Sequence, residues 1–127
     1  MGGYDRSDSS VYSGSDGQGA EEISCLKPFI VDGDTLRCGK MRIRLMGIDA
    51  PEMPGHCRAG RDCVDGDPFA AKNYLLSLAR GGITCDIIEY DHYGRAISRC
   101  RNDDKVDLSC AMIASGHAVR RYGRISC

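Results

Sequence analysis

Eight cysteines, at positions 25, 38, 57, 63, 85, 100, 110 and 127, constrain this chain of 127 residues more than any other feature. An even number in so short a chain points to a disulfide framework and an oxidising location, periplasmic or secreted. Counting alone leaves roughly a hundred pairings. Spacing suggests Cys57 with Cys63 inside one loop, and two hairpins read below place Cys25 near Cys38 and Cys85 near Cys100, which leaves Cys110 with Cys127. Each bridge adds about 2–4 kcal/mol by restricting the unfolded chain, which matters in a domain of about 100 residues with a modest core. A rival reading makes His56, Cys57 and Cys63 a metal site, but their spacing fits no familiar C-x2-C pairing.

The length is that of one domain. Residues 1–22, rich in Gly, Ser and Asp, have no apolar period, and are expected to be a flexible lead-in; the domain proper is 23–127. The lead-in carries five acids and one base, which leaves 13 acids against 16 bases and a net charge of +3 for the rest. No apolar run has signal-peptide length, and none is long enough to span a membrane. Either an export signal has been removed or the chain is not exported by that route.

"KPFIV", "TLRC" and "MRIRLMGI" read as three strands joined by the turns "DGD" and "GK". Asp67 and Pro68 read as N-cap and first residue of a helix with Ala71, Leu75 and Leu78 on one stripe, ended by Gly81-Gly82. "ITCDII" and "RAISRC" then read as strands joined by "EYDHYG", and "DLSCAMIAS" as a short helix stopping at Gly116. The order β-β-β-α-β-β-α predicts an α+β fold, mainly β: a five-stranded OB-like barrel with two helices. A fold of that kind does not name a function.

Four charged elements stand where a core does not explain them: Asp32 and Asp34 in the first turn, Asp49 and Glu52 after the third strand, Arg42 and Arg44 on one face of that strand, and Arg95 after "DHYG". Each has a bland reading, as turn chemistry, helix cap, solvated strand face or hairpin tip. Together, neighbouring carboxylates suit a hard cation such as calcium, and adjacent guanidiniums suit phosphate oxygens.

"VDGDT" (31–35), "RIRLMGIDAPE" (42–52) and "DHYGR" (91–95), in this order and on this strand pattern, resemble the staphylococcal nuclease, or thermonuclease, family; "IASGHAV" (113–119) is similar to its second helix and terminal glycine. The resemblance covers about residues 26–122. It implies that Asp34 and Asp49 ligate calcium with the backbone carbonyl of Ala50, that Glu52 positions or deprotonates the attacking water, and that Arg44 and Arg95 hold the scissile phosphate. Only the motif register selects Arg44 over Arg42. It also implies that Tyr93 and Tyr122 flank the bound nucleotide; His92 departs from the pattern by standing where lysine is common, a change expected either to weaken phosphate binding or to make it vary with pH near the imidazole pKa of about 6.5.

The activity so implied is calcium-dependent, sugar-nonspecific hydrolysis of DNA and RNA at the 5′ oxygen, leaving 3′-phosphate ends, by a monomer that favours single strands. The pattern departs from the family in the cysteine-bearing loop from Met53 to Gly66, in the short loop before "DHYGR", and in stopping at Cys127 without the usual C-terminal helix, for which a Cys110–Cys127 bridge would substitute. The alternative is a non-catalytic nucleic-acid-binding module of the same fold. Against it stand the full set of acids and arginines and the scarcity of stacking rings, since 6% of residues are aromatic and there is no tryptophan. A third reading, a disulfide scaffold with a merely charged surface, would make three linked motifs coincidental.

Overall fold

Strand β1 (Glu21–Cys25) opens the computed structural model, which describes residues 21–127. It begins two residues inside the segment read as a lead-in; residues 1–20 of that segment lie outside the described residues. The chain continues through β2 (Phe29–Ile30), β3 (Thr35–Cys38), β4 (Met41–Leu45), β5 (Ile48–Asp49), α1 (Pro68–Ala79), β6 (Ile83–Tyr90), β7 (Ala96–Asn102), α2 (Leu108–Ala114) and β8 (Val119–Arg120). The fold is mixed α+β and mainly strand.

Six strands form one sheet in the order β1-β6-β7-β4-β3-β2, antiparallel throughout except for the parallel pair β4–β7. Its two outermost strands, β1 and β2, are consecutive in the chain. Six flat strands would set the edges about 24 Å apart, whereas the link from Cys25 to Phe29 reaches at most about 15 Å. The sheet therefore curls until its edges approach one another. Inside the curl lie Leu36, Ile43, Leu45, Cys85, Ile87 and Cys100, and both helices close over it through Ala71, Leu75, Leu108 and Met112.

Both helices fall where the sequence places them. Asp67 caps α1 by accepting from the amides of Phe69 and Ala70, and Asp107 caps α2 by accepting from that of Cys110. Ala79 joins Ala71 and Leu75 as the fully buried stripe of α1, while Leu78 is partly buried. The pair β5–β8, which sets Ile48 opposite Arg120 and Asp49 opposite Val119, was not foreseen, because two-residue strands leave no alternation to read.

Gly33, the middle of "DGD", is required for packing rather than for turn conformation. A Cβ there would lie 2.8 Å from Ala50 Cβ and 2.9 Å from Ala71 Cβ, atoms with no rotamer to escape into. Gly33→Ala is therefore expected to cost about 1–3 kcal/mol in urea unfolding; a loss below a few tenths would show that the "DGD" turn is free to move away from α1.

Four disulfides are present, Cys25–Cys38, Cys57–Cys63, Cys85–Cys100 and Cys110–Cys127. They are the pairs that spacing suggested, and they exclude thiolate ligation by Cys57 or Cys63. Such a framework fits an oxidising extracellular or periplasmic location, and no helix among the described residues is long and apolar enough to cross a membrane. After β8 the chain runs to Cys127 without a helix. The Arg120 guanidinium donates to Ile125 O and that of Arg99 to Ser126 O, while Ile125 packs against Gly47, whose φ of 81° and close neighbour both exclude a side chain.

Candidate active site

Arg44 occupies the centre of the site. It is buried at the middle of the sheet, opposite Thr35 on β3 and Ile97 on β7. Its Nη1 donates to Ile48 O at 3.0 Å and lies 3.4 Å from Asp34 Oδ2, and its Nη2 lies 3.4 Å from Asp49 Oδ1. Asp34 Oδ2 also accepts from the Ala50 amide at 2.8 Å, and its Oδ1 accepts from the Thr35 hydroxyl at 2.8 Å. The "DGD" turn and the end of β5 are thus stitched together, bringing Asp34, Asp49, Ala50 and Arg44 into one cluster.

Arg42, which the sequence could not separate from Arg44, does something else: it is exposed, and its Nη2 donates to the carbonyl of Tyr93 in the β6–β7 hairpin tip. That tip is built on Asp91, whose Oδ1 accepts from the amides of Tyr93 and Arg95 and whose Oδ2 accepts from Arg95 Nε at 2.7 Å. Burial raises the Asp91 pKa, but the hydrogen bonds from Arg95 and its charge outweigh that and hold the carboxyl below its usual range. Holding Arg95 by Nε leaves the other edge of its fork for a ligand.

The Tyr93 ring lies 5.3 Å from the Arg95 guanidinium and 4.0 Å from the His92 ring. Tyr93 is 52% exposed and Tyr122 63%. Tyr122 has φ 62°, a conformation uncommon for a residue with a side chain, and its ring stands 5.8 Å from the Arg44 guanidinium.

These groups line a cleft of about 680 Å³ that also takes in Glu52, His56, Arg58 and Arg61. Its wall carries five arginines, at 42, 44, 58, 61 and 95, against the acids Glu52, Glu89 and Asp91. Asp34 and Asp49 lie behind that wall, 3% and 0% exposed. Two arginines that sequence reasoning missed reach the acids from elsewhere. Arg61, between Cys57 and Cys63, places its guanidinium 3.6 Å from both Glu52 Oε2 and Asp49 Oδ1. Arg121, just past β8, donates from Nη1 to Asp49 Oδ2 at 3.0 Å.

Burial is the main force on the carboxylates. It raises the Asp32 pKa to about 7, helped by the charge of Asp34, and raises that of Asp49, where Asp34 adds to it and Arg44, Arg61 and Arg121 oppose it. Asp32 in the folded protein therefore keeps a proton between about pH 4 and pH 7 that the unfolded chain releases. Its contribution to stability is present below pH 4 and lost as pH rises through 7; Asp49 acts in the same sense. In chelator, the protein should be about 2–4 kcal/mol less stable at pH 8 than at pH 5. Asp32→Asn should remove much of that difference in denaturant titrations, and an unchanged pH slope would refute the assignment.

Buried carboxylates under mutual repulsion, with hard oxygen donors, are chemically suited to calcium. The residues implied as ligands, Asp34, Asp49 and Ala50, fit that donor class. Among the described residues no three acidic, His or Cys side chains form a ready cage, and Arg44 lies within ion-pair distance of both Asp34 and Asp49.

An arginine-rich cleft backed by buried carboxylates on a curled sheet has the chemistry that suits an anionic ligand. No protein-family model matches the chain. It is 34% identical over 106 residues to the succinoglycan biosynthesis protein ExoI of Rhizobium meliloti (strain 1021), a match covering 81% of this chain and 55% of that protein. The chain thus spans about half the length of this curated relative.

Proposed function

We propose that the protein is a calcium-dependent, sugar-nonspecific nuclease of the staphylococcal nuclease type, hydrolysing DNA and RNA at the 5′ oxygen to leave 3′-phosphate ends. The observation that carries this reading is the convergence of Arg44, Arg95 and Glu52 on one cleft with Asp34 and Asp49 directly behind Arg44. The same reading takes the sheet as an OB-like barrel whose first strand is broken into β1 and β2. The name of the Rhizobium meliloti relative concerns succinoglycan biosynthesis and states no reaction.

A phosphodiester is anionic, so attack by water needs positive charge on its nonbridging oxygens, and calcium held by Asp34, Asp49 and the Ala50 carbonyl supplies part of it when bound. Arg44 and Arg95 contribute donors, Arg95 pre-oriented by Asp91 and Arg44 by the Ile48 carbonyl. Their bonds strengthen as charge builds on the phosphate oxygens. Glu52 positions the attacking water or accepts its proton as the new P–O bond forms, the bond to the 5′ oxygen breaks, and that oxygen leaves as a hydroxyl after taking a proton from solvent. Tyr93, Tyr122 and His92, exposed around the cleft mouth, pack against a nucleotide or donate to its phosphate.

The test is to incubate the oxidised protein with a single-stranded oligonucleotide in millimolar calcium and in excess chelator. Cleavage confined to calcium, with product ends that a polymerase extends only after phosphatase treatment, is the expected result. Full activity in chelator would sink the metal dependence; binding without cleavage in calcium would favour the non-catalytic module.

A further inference from the structure

The segment from Pro51 to Asp67 contains no helix or strand, yet it is fixed at two points. The Cys57–Cys63 disulfide closes a loop of a few residues, inside which the Arg61 amide donates to Arg58 O at 3.1 Å. The second anchor is Arg121, whose Nη1 donates to Asp62 O at 2.8 Å while also holding Asp49 Oδ2. The loop is thereby pinned to the buried acid cluster by an arginine about sixty residues away in sequence, and its tip hangs over the cleft.

Arg61 is the residue this arrangement presents. Its side chain is partly exposed and lines the cleft beside Arg58. Its contacts to Asp49 and Glu52 are both 3.6 Å, within ion-pair range but too long for hydrogen bonds, so its donors are not consumed by them. Burial disfavours its charged form, but the charge of Glu52, a hydrogen bond to the Tyr122 side chain and the charge of Asp49 outweigh that and raise its pKa above the usual guanidinium value.

We propose that Arg61 is a third substrate-binding guanidinium, contacting a phosphate of the nucleic-acid strand, and that the Cys57–Cys63 bridge serves to pre-order it. This rests on the nuclease reading above. A guanidinium fork matches phosphate oxygens in a way an ammonium does not, and a short covalently closed loop presents it with little ordering entropy left to lose on binding. In the absence of substrate, Arg61 screens Glu52 and Asp49; with substrate, the same guanidinium stands between those acids and the strand's negative charge.

The experiment measures binding of a labelled single-stranded oligonucleotide by fluorescence anisotropy in chelator, where turnover is absent, across a range of salt. The variants are Arg61→Ala, Arg61→Lys and the double change Cys57→Ser with Cys63→Ser, with thermal unfolding recorded for each. The expected result is about a tenfold weaker affinity for Arg61→Ala, with the slope of log affinity against log salt shallower by about 0.7 because one phosphate contact is lost. Arg61→Lys should keep the native slope but recover only part of the affinity, and the double cysteine variant should weaken binding while remaining folded. Native affinity and slope in Arg61→Ala, alongside a native protein that binds, would overturn the proposal alone. A native protein that neither binds nor cleaves would overturn both it and the nuclease reading.

Discussion

On the proposed nuclease reading, Glu52→Gln is expected to lower calcium-dependent cleavage of single-stranded DNA by about 10²–10⁴-fold, the usual contribution of a positioned general base, with an unfolding midpoint near native. The substitution keeps the shape and removes only the charge and the basic site. Glu52 lines the cleft, and its ion pair is a 3.6 Å contact to a partly exposed Arg61; such pairs contribute about 0–1 kcal/mol. Arg95→Ala acts through a different term, loss of a donor to the transition state, and is expected to reduce the rate by about 10³–10⁵ by analogy with arginine fingers. Its Nε partner Asp91 also shapes the hairpin through backbone amides, so the tip survives the change. Rates within tenfold of native for both variants would remove Glu52 and Arg95 from the reaction.

Arg44→Ala is expected to cost about 3–5 kcal/mol of stability in chelator, because it strips a buried charge from its partners. Asp34 would keep only the Ala50 amide and the Thr35 hydroxyl at its carboxylate, and the Ile48 carbonyl would lose its donor. Asp49 would still face Arg61 and Arg121. Urea unfolding at pH 8 measures the loss, and a value under 1 kcal/mol would mean that the acid cluster tolerates Arg44's departure and is already poised for a cation. An inactive Arg44→Ala does not by itself report phosphate binding. Arg44→Lys, which keeps charge but not the fork, separates the two roles.

Local chemistry made most of the frame legible. Asp67-Pro68 announced the first helix because capping is decided within a few residues, whereas the second was read from its apolar segment and its stop at Gly116, with Asp107 taken as its first residue where it proves to be the N-cap. β3 was read at its observed ends because Asp and Gly bracket it. The disulfide pairs were legible by different routes: Cys57–Cys63 from its spacing within one loop, Cys85–Cys100 from a hairpin whose register sets the two directly opposite, Cys25–Cys38 from an expected hairpin although β1 does not pair with β3, and Cys110–Cys127 as the pair left over. What stayed hidden was decided by distance along the chain. The different fates of Arg42 and Arg44 depend on what β7 and its hairpin bring to β4, and Arg121 meets Asp49 across 72 residues. Arg61 lies in a loop without periodicity, and no pattern reader gives direction to such a side chain. The only signal that pointed to it was the pair of cysteines flanking it, read as a staple rather than as a device for aiming what lies between. "DGD" was read as a turn, although it is the proximity of Ala50 and Ala71 that excludes a side chain from Gly33.

The broken strand at the start of the sheet bears on how the molecule assembles. β1 must find β6, about sixty residues later, before its five register pairs form, and contacts so far apart in sequence are slow to make because the intervening chain must first be ordered. Cys25 and Cys38 are only 13 residues apart. A closed bridge ties β1 to β3 early, although the loop still to be closed, from Cys38 to Ile83, is only a little shorter than the one it replaces. Early closure of this bridge is therefore expected to organise the start of the sheet, by fixing β1 beside β3, before its distant partner β6 arrives.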